Sequence, residues 1–147
     1  PQDGSDGNRI SRWLLPEDHK FYANEVDATL VECKYYLQAF SVLNAPRSRF
    51  DISELFTPWL LTHKVNPGEY LDPIQRINID FKEMLENPRN IQSGHLDPLD
   101  RDGRHVPENT FLMLSRSNQI QGNMKVNELY ALMRRVISDL DHGEIDF

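Results

Sequence analysis

The stretch from Ser93 to Gly122, SGHLDPLDRDGRHVPENTFLMLSRSNQIQG, constrains this chain more than any other. Pro98 pushes Asp97 out of the α region and ends any helix before it, so Ile91 to Leu99 begins extended. Asp100-Arg101-Asp102-Gly103-Arg104 is polar and carries a glycine, the composition of a turn. Thr110 to Leu114 is a short apolar run with Thr and Phe, the signature of a buried strand. Ser115 can cap a short helix carrying Asn118. The segment therefore spells strand, loop, strand, helix.

That order, with His95-Leu96-Asp97-Pro98-Leu99, Gly103, Pro107-Glu108-Asn109 and Asn118 through Gly122 in sequence, resembles the ββα-metal core of HNH nucleases. The match covers about a fifth of the chain. It implies a metal-dependent DNA endonuclease, a restriction-type enzyme or the nuclease domain of one, in which His95 is the general base that activates water against a phosphodiester. Neutral imidazole titrates in the right range for that role. Asn109 would brace the loop and orient His95. Asn118 stands where the family places a metal ligand. The implied cofactor is one divalent ion, Mg²⁺ or Mn²⁺ ahead of Zn²⁺, which stabilises charge on the phosphate and leaving oxygen. No small-molecule cofactor is implied.

One position departs from the family pattern. Many members carry Asp before the first His, and here Gly94 stands there. A hard cation takes oxygen ligands, usually with a carboxylate among them. Asp97 is the nearest replacement, two residues on and so on the same side of a regular strand; Asp100 and Asp102 lie in the turn. Cys33 is the one cysteine, so the family's paired-cysteine zinc knuckle is absent. Arg101, Arg104, His105 and Arg116 are the candidate nucleic-acid contacts of the motif. Each has a plainer reading as well, since loop histidines and surface arginines are usually solvated, and Asn in turns commonly serves its own backbone. The combination, in this order and spacing, is what favours the functional reading.

Composition sets limits on this. The chain has 147 residues and a formal net charge of −7, against the basic footprint usual for nucleic-acid binding. Three accounts meet that objection: uneven charge, DNA affinity carried by a larger parent chain, or no nucleic acid at all. No apolar run reaches the length of a membrane span, and the start is not a signal peptide. A single cysteine excludes an intramolecular disulfide and fits a reducing cytoplasm. Pro1 in place of Met points to a trimmed or partial chain.

Along the chain, residues 1–10 read as a polar linker, and Trp13, Leu14 and Leu15 as a short docking segment. Phe21, Val26, Leu30, Cys33, Leu37 and Phe40 recur at helical spacing and predict a long core-facing helix from about Glu17 to Leu43. A second helix is expected from Asp51 or Ser53 to about His63, and a third from Asp72 or Pro73 to Leu85. Leu129, Leu132, Met133, Val136, Ile137 and Leu140 form the stripe of a final helix from Lys125 or Asn127 to about Leu140. The tail after it is acidic. The expected fold is thus α+β and mostly helical: residues 1–90 as helices that scaffold, dimerise or read a target, then residues 91–147 as the ββα core with its closing helix. One such site cuts one strand, so a double-strand cutter would pair two copies about a two-fold axis. The competing readings are an inactive HNH-like binding module and an RNase or toxin nuclease.

Overall fold

The computed structural model describes residues 11–143; the polar N-terminal linker and the last acidic residues read from the sequence lie outside this range. In chain order the elements are α1 (Glu25–Ala39), α2 (Ser53–Phe56), α3 (Phe81–Glu86), β1 (Ile91–His95), β2 (Thr110–Leu114), α4 (Ser115–Gln121) and α5 (Val126–Asp141). Short 3-10 turns sit at Arg12–Leu14, Pro88–Asn90, Leu99–Arg101 and Pro107–Asn109. No helix of the described residues is long and apolar enough to cross a membrane.

The ββα unit forms where its sequence signals place it. β1 and β2 pair antiparallel with Ile91 opposite Leu114, Gly94 opposite Phe111 and His95 opposite Thr110. β1 covers Ile91–His95, the start of the stretch expected to begin extended, before the chain turns at Pro98. α4 follows β2 without a linker. Ser115 is its first residue rather than its cap, and the Ser115 hydroxyl donates to Arg89 O at 2.6 Å.

β2 is the strand on which both cores are built. Leu112 and Met113 are fully buried, and successive side chains of a strand point to opposite faces. Leu112 packs with Ala39, Val42, Tyr70, Ile79 and Ile91. Met113 packs with Ile74, Val126 and Leu129 from the other side. The unbroken apolar run of β2 is therefore what a strand covered on both faces requires.

A two-stranded ribbon leaves one edge of each strand without a ladder partner, and those backbone groups need others when buried. On β2 three side chains supply them. The Leu112 N–H donates to Gln38 Oε1 at 2.8 Å, Leu112 O accepts from Tyr70 Oη at 2.5 Å, and the Leu114 N–H donates to Asp72 Oδ2 at 2.8 Å.

This edge explains where the upstream helices depart from expectation. α1 spans fewer residues than the expected Glu17–Leu43 and begins where Asn24 caps it, accepting from the Asp27 N–H at 2.8 Å. Its buried face is Ala28, Val31, Lys34, Gln38 and Ala39, whereas Val26, Cys33 and Phe40 from the expected stripe are exposed. The helix is turned because Gln38 and Lys34 satisfy distant backbone: Lys34 Nζ donates to Pro107 O at 2.5 Å.

α2 ends at Phe56 rather than near His63, because Pro58 lacks an N–H and holds Thr57 extended. The third helix starts at Phe81, not Asp72. The Asp72 carboxylate accepts from the Ile74 and Gln75 N–H groups at 2.9 and 2.8 Å, and Arg76 takes a positive φ of 56°. The chain doubles back there until Asp80 caps α3 through the Glu83 N–H. α5 starts at Val126, between the two expected starts, and buries Val126 and Leu129. Its stripe then leaves the body, so that Val136, Ile137 and Leu140 are exposed.

Candidate active site

The site forms at the end of β1, where the chain leaves the ribbon at His95 and returns at Thr110. Asn109 clips the loop between them. Its Oδ1 accepts from the Asp97 N–H at 2.8 Å, and its Nδ2 donates to Asp97 O at 3.0 Å and Arg104 O at 2.9 Å. Gly103 has to be glycine: a Cβ there would lie 1.8 Å from Asp97 O. Asp102 just before it adopts a left-handed φ of 67°, which Asp tolerates better than most residues. The loop is a tight clip held by its own backbone.

The clip brings His95 and His105 together. His95 Nε2 and His105 Nδ1 are 3.0 Å apart, so one ring donates to the other. His105 is buried, and His95 is half-buried. Burial first, and then the positive charge of Arg12, hold both imidazoles well below the usual histidine range, His95 at about 4 and His105 at about 3. Both rings are therefore neutral at pH 7. On α4, Gln121 fixes the backbone behind His95, its Nε2 donating to His95 O at 2.9 Å, Leu96 O at 3.1 Å and Met124 O at 3.1 Å.

These residues open into a cleft of about 640 Å³ whose lining includes Arg12, Lys20, His95, His105, Asn118 and Gln121. Of the residues singled out in the sequence, His95, His105 and Asn118 thus meet in one cavity. Asn109 stands behind it as part of the loop. Asp97 is not in the lining; its side chain is exposed, because its backbone is what Asn109 holds. Arg101 pairs with Glu128 of α5, Nη2 to Oε2 at 3.0 Å, and Arg104 and Arg116 are exposed outside the cleft. The sequence reading missed Arg12, Lys20 and Gln121. Gln121 had a signal, since three residues after Asn118 it shares that helix face. Arg12 and Lys20 had none, because only tertiary folding brings them to residue 95.

A Cβ at Gly94 would lie 2.4 Å from Met113 Cε and 2.6 Å from its Sδ, so the flexible end of the Met113 side chain would have to shift to admit one. Among the described residues no three of His, Cys, Asp and Glu gather into a metal-binding group. Asn118, Glu32 and Gln121 are among the residues that line the cleft, and Gln121 Oε1 is a buried oxygen with no hydrogen-bond partner. Oxygen donors of these types suit a hard cation.

The chain matches no protein-family profile and no curated protein. Among solved structures it is similar to one described as the crystal structure of a type II restriction endonuclease, with a TM-score of 0.65 and 20% sequence identity over 87% of this chain. The chain spans 60% of that protein's length. The likeness is one of fold.

Proposed function

We propose that the chain is a DNA endonuclease that hydrolyses phosphodiester bonds, with His95 as general base, on an HNH-like ββα unit. The observation that carries this is the His95–His105 contact at the mouth of a cleft that also holds Asn118. For His95 to accept a proton at Nδ1, its Nε2 must carry hydrogen and donate to His105 Nδ1. His105 thereby selects the tautomer and fixes the ring, the part an orienting partner plays for a catalytic histidine. Asn109 and Gln121 hold the backbone on either side. Water then attacks phosphorus as its proton passes to His95; a new P–O bond forms, a bridging P–O bond breaks, and the departing alkoxide takes up a proton.

A divalent ion, Mg²⁺ or Mn²⁺ by donor type, would be held by Asn118 with Glu32 and Gln121 Oε1, and would supply charge stabilisation at the phosphate. The fold likeness to a restriction endonuclease supports DNA as the substrate. The competing reading, a binding module without chemistry, draws on Gly94 in the place of an Asp and on the acidic net charge.

Supercoiled-plasmid nicking in Mg²⁺, Mn²⁺, Zn²⁺ or EDTA decides between them. Metal-dependent nicking that falls by roughly 10²–10⁴ in His95→Ala is expected for a lost general base. Plasmid binding without nicking in any metal would establish the binding module instead. An RNA substrate run in parallel separates a ribonuclease.

A further inference from the structure

We propose that a second cleft, walled by α1 and the turn Pro107–Asn109, receives a nucleobase turned out of a DNA strand, stacked on Trp59 and met at its polar edge by Lys34. The proposal rests on the nuclease reading only for DNA as the substrate. This cleft has a volume of about 400 Å³, and the described residues that line it are all different from those of the first. α1 and one loop stand between the two: Glu32, Tyr35 and His105 line the first, and Lys34, Gln38 and Pro107 line the second. His105 and Pro107 are at most about 7 Å apart along the chain. A strand held in the first cleft therefore passes within reach of the second.

The walls of this cleft are flat. The Trp59 side chain is 58% exposed, yet its Nε1 donates to Leu55 O at 2.6 Å and its ring centre lies 6.0 Å from that of Phe56. An aromatic ring held in place with its surface uncovered is a platform on which any base can stack. Phe111 is in the lining too, with His63 and Tyr70, whose rings are 5.3 Å apart. Lys34 is the buried charge of the site. Its Nζ lies 3.6 Å from the centre of the Phe111 ring and donates to Pro107 O at 2.5 Å. That bond braces the turn, and an ammonium has further N–H donors to offer. Among the described residues no carboxylate pairs with it. Burial lowers its pKa to about 8, with Glu108 opposing, so it keeps its charge at pH 7. Exposed Arg76, Glu69 and Glu108 complete the lining with both signs of charge. A phosphodiester offers only acceptors and is repelled by those carboxylates; a cation is repelled by Lys34. The edge of a base presents acceptors and donors together, and so suits both the ammonium and the carboxylates. Turning a base out of a duplex costs stacking and pairing, so an unpaired base is the easier occupant.

The test has two arms. In the first, Trp13→Phe leaves Trp59 as the sole tryptophan, and its fluorescence is followed as deoxyadenosine, deoxycytidine, deoxyguanosine or thymidine is added. Benzyl alcohol, a flat ring without the edge of a base, is the control. In the second, the anisotropy of a labelled short duplex, fully paired or with one unpaired nucleotide, measures binding by wild type, Trp59→Leu and Lys34→Met, with unfolding midpoints recorded alongside. A saturable response to a deoxynucleoside and none to benzyl alcohol is expected. The duplex with the unpaired nucleotide should bind about tenfold tighter than the paired one, and each variant should abolish that preference. Trp59 fluorescence indifferent to every deoxynucleoside, or equally responsive to benzyl alcohol, overturns the proposal. So does a preference that survives Trp59→Leu, which decides alone should Lys34→Met not fold. A chain that binds deoxynucleosides at Trp59 but cuts no nucleic acid keeps this site and loses the nuclease reading. A chain that nicks plasmid while holding both duplexes alike, with or without Trp59, loses this site alone.

Discussion

Residues 91–122 and residues 17–86 were read by the same rules, and they folded differently against those rules. In the first region the strand pair, the turn and the short helix fall within a few residues of where composition and spacing put them. In the second, all three expected helices came out shorter, and the longest was turned so that a lysine and a glutamine face inward. The difference lies in the reach of the hydrogen bonds. Asn109 clips groups five and twelve residues away. Gln38 serves a backbone N–H 74 residues away, and Asp72 serves partners both beside it and more than 40 residues on. Polar residues with distant partners look, in sequence, like a solvated face.

That contrast can be broken by experiment. The largest effect is expected at Asp72, which is fully buried and accepts from Ile74 N, Gln75 N, Leu114 N and Ser117 Oγ. Asp72→Ala strands four donors and should cost on the order of 4 kcal/mol or more in urea unfolding. A loss below 1 kcal/mol would show that this residue does not organise the upstream region.

Acid should act on the site itself. Both histidines titrate lower in the folded chain than the usual 6.5, so the unfolded chain binds more protons as pH falls through that range. Stability is therefore full above about pH 6.5 and is lost as pH drops towards 4, by up to about 1.4 kcal/mol per pH unit for each histidine. Chemical unfolding from pH 7 to pH 4 measures the slope, and His105→Asn should flatten it. An equal slope in wild type and variant would remove the buried pair as its source.

Gln38→Leu keeps the helix and the volume but leaves the Leu112 N–H without its acceptor; a cost of about 1–3 kcal/mol is expected, readable as a lower unfolding midpoint. A variant as stable as wild type would return α1 to the simple amphipathic picture. The smallest effect is expected at Ile137 on the free end of α5, 58% exposed. Ile137→Ser should change stability by less than about 0.5 kcal/mol, and a larger loss in the same unfolding assay would mean that this end of α5 is covered.

The strands, α4 and α5 were legible because period and turn chemistry act between neighbours. Pro98 restricts the residue before it and Gly103 marks a turn, both visible in the sequence, while the backbone oxygen that leaves no room for a side chain at Gly103 is seen only in the fold. What lines the cleft was less legible. Asp97 had the right spacing from His95, but Asn109 uses its backbone and leaves its carboxylate outside the cleft. Gly94 fitted the expected motif while giving no hint that Met113 fills the space beside it.

The sequence by itself determined the ββα unit, the closing helix, and the positions of His95, Asn109 and Asn118 along them. Tertiary structure alone decided that His105 would meet His95, that α1 would turn Gln38 and Lys34 inward, and that Arg12 would enter the cleft. The physical reason is one of range. A turn, a cap or a strand period is satisfied by atoms a few residues away, so it is written locally. A buried polar or charged side chain is placed by whichever distant group is left needing a partner, and that is known only once the chain has folded.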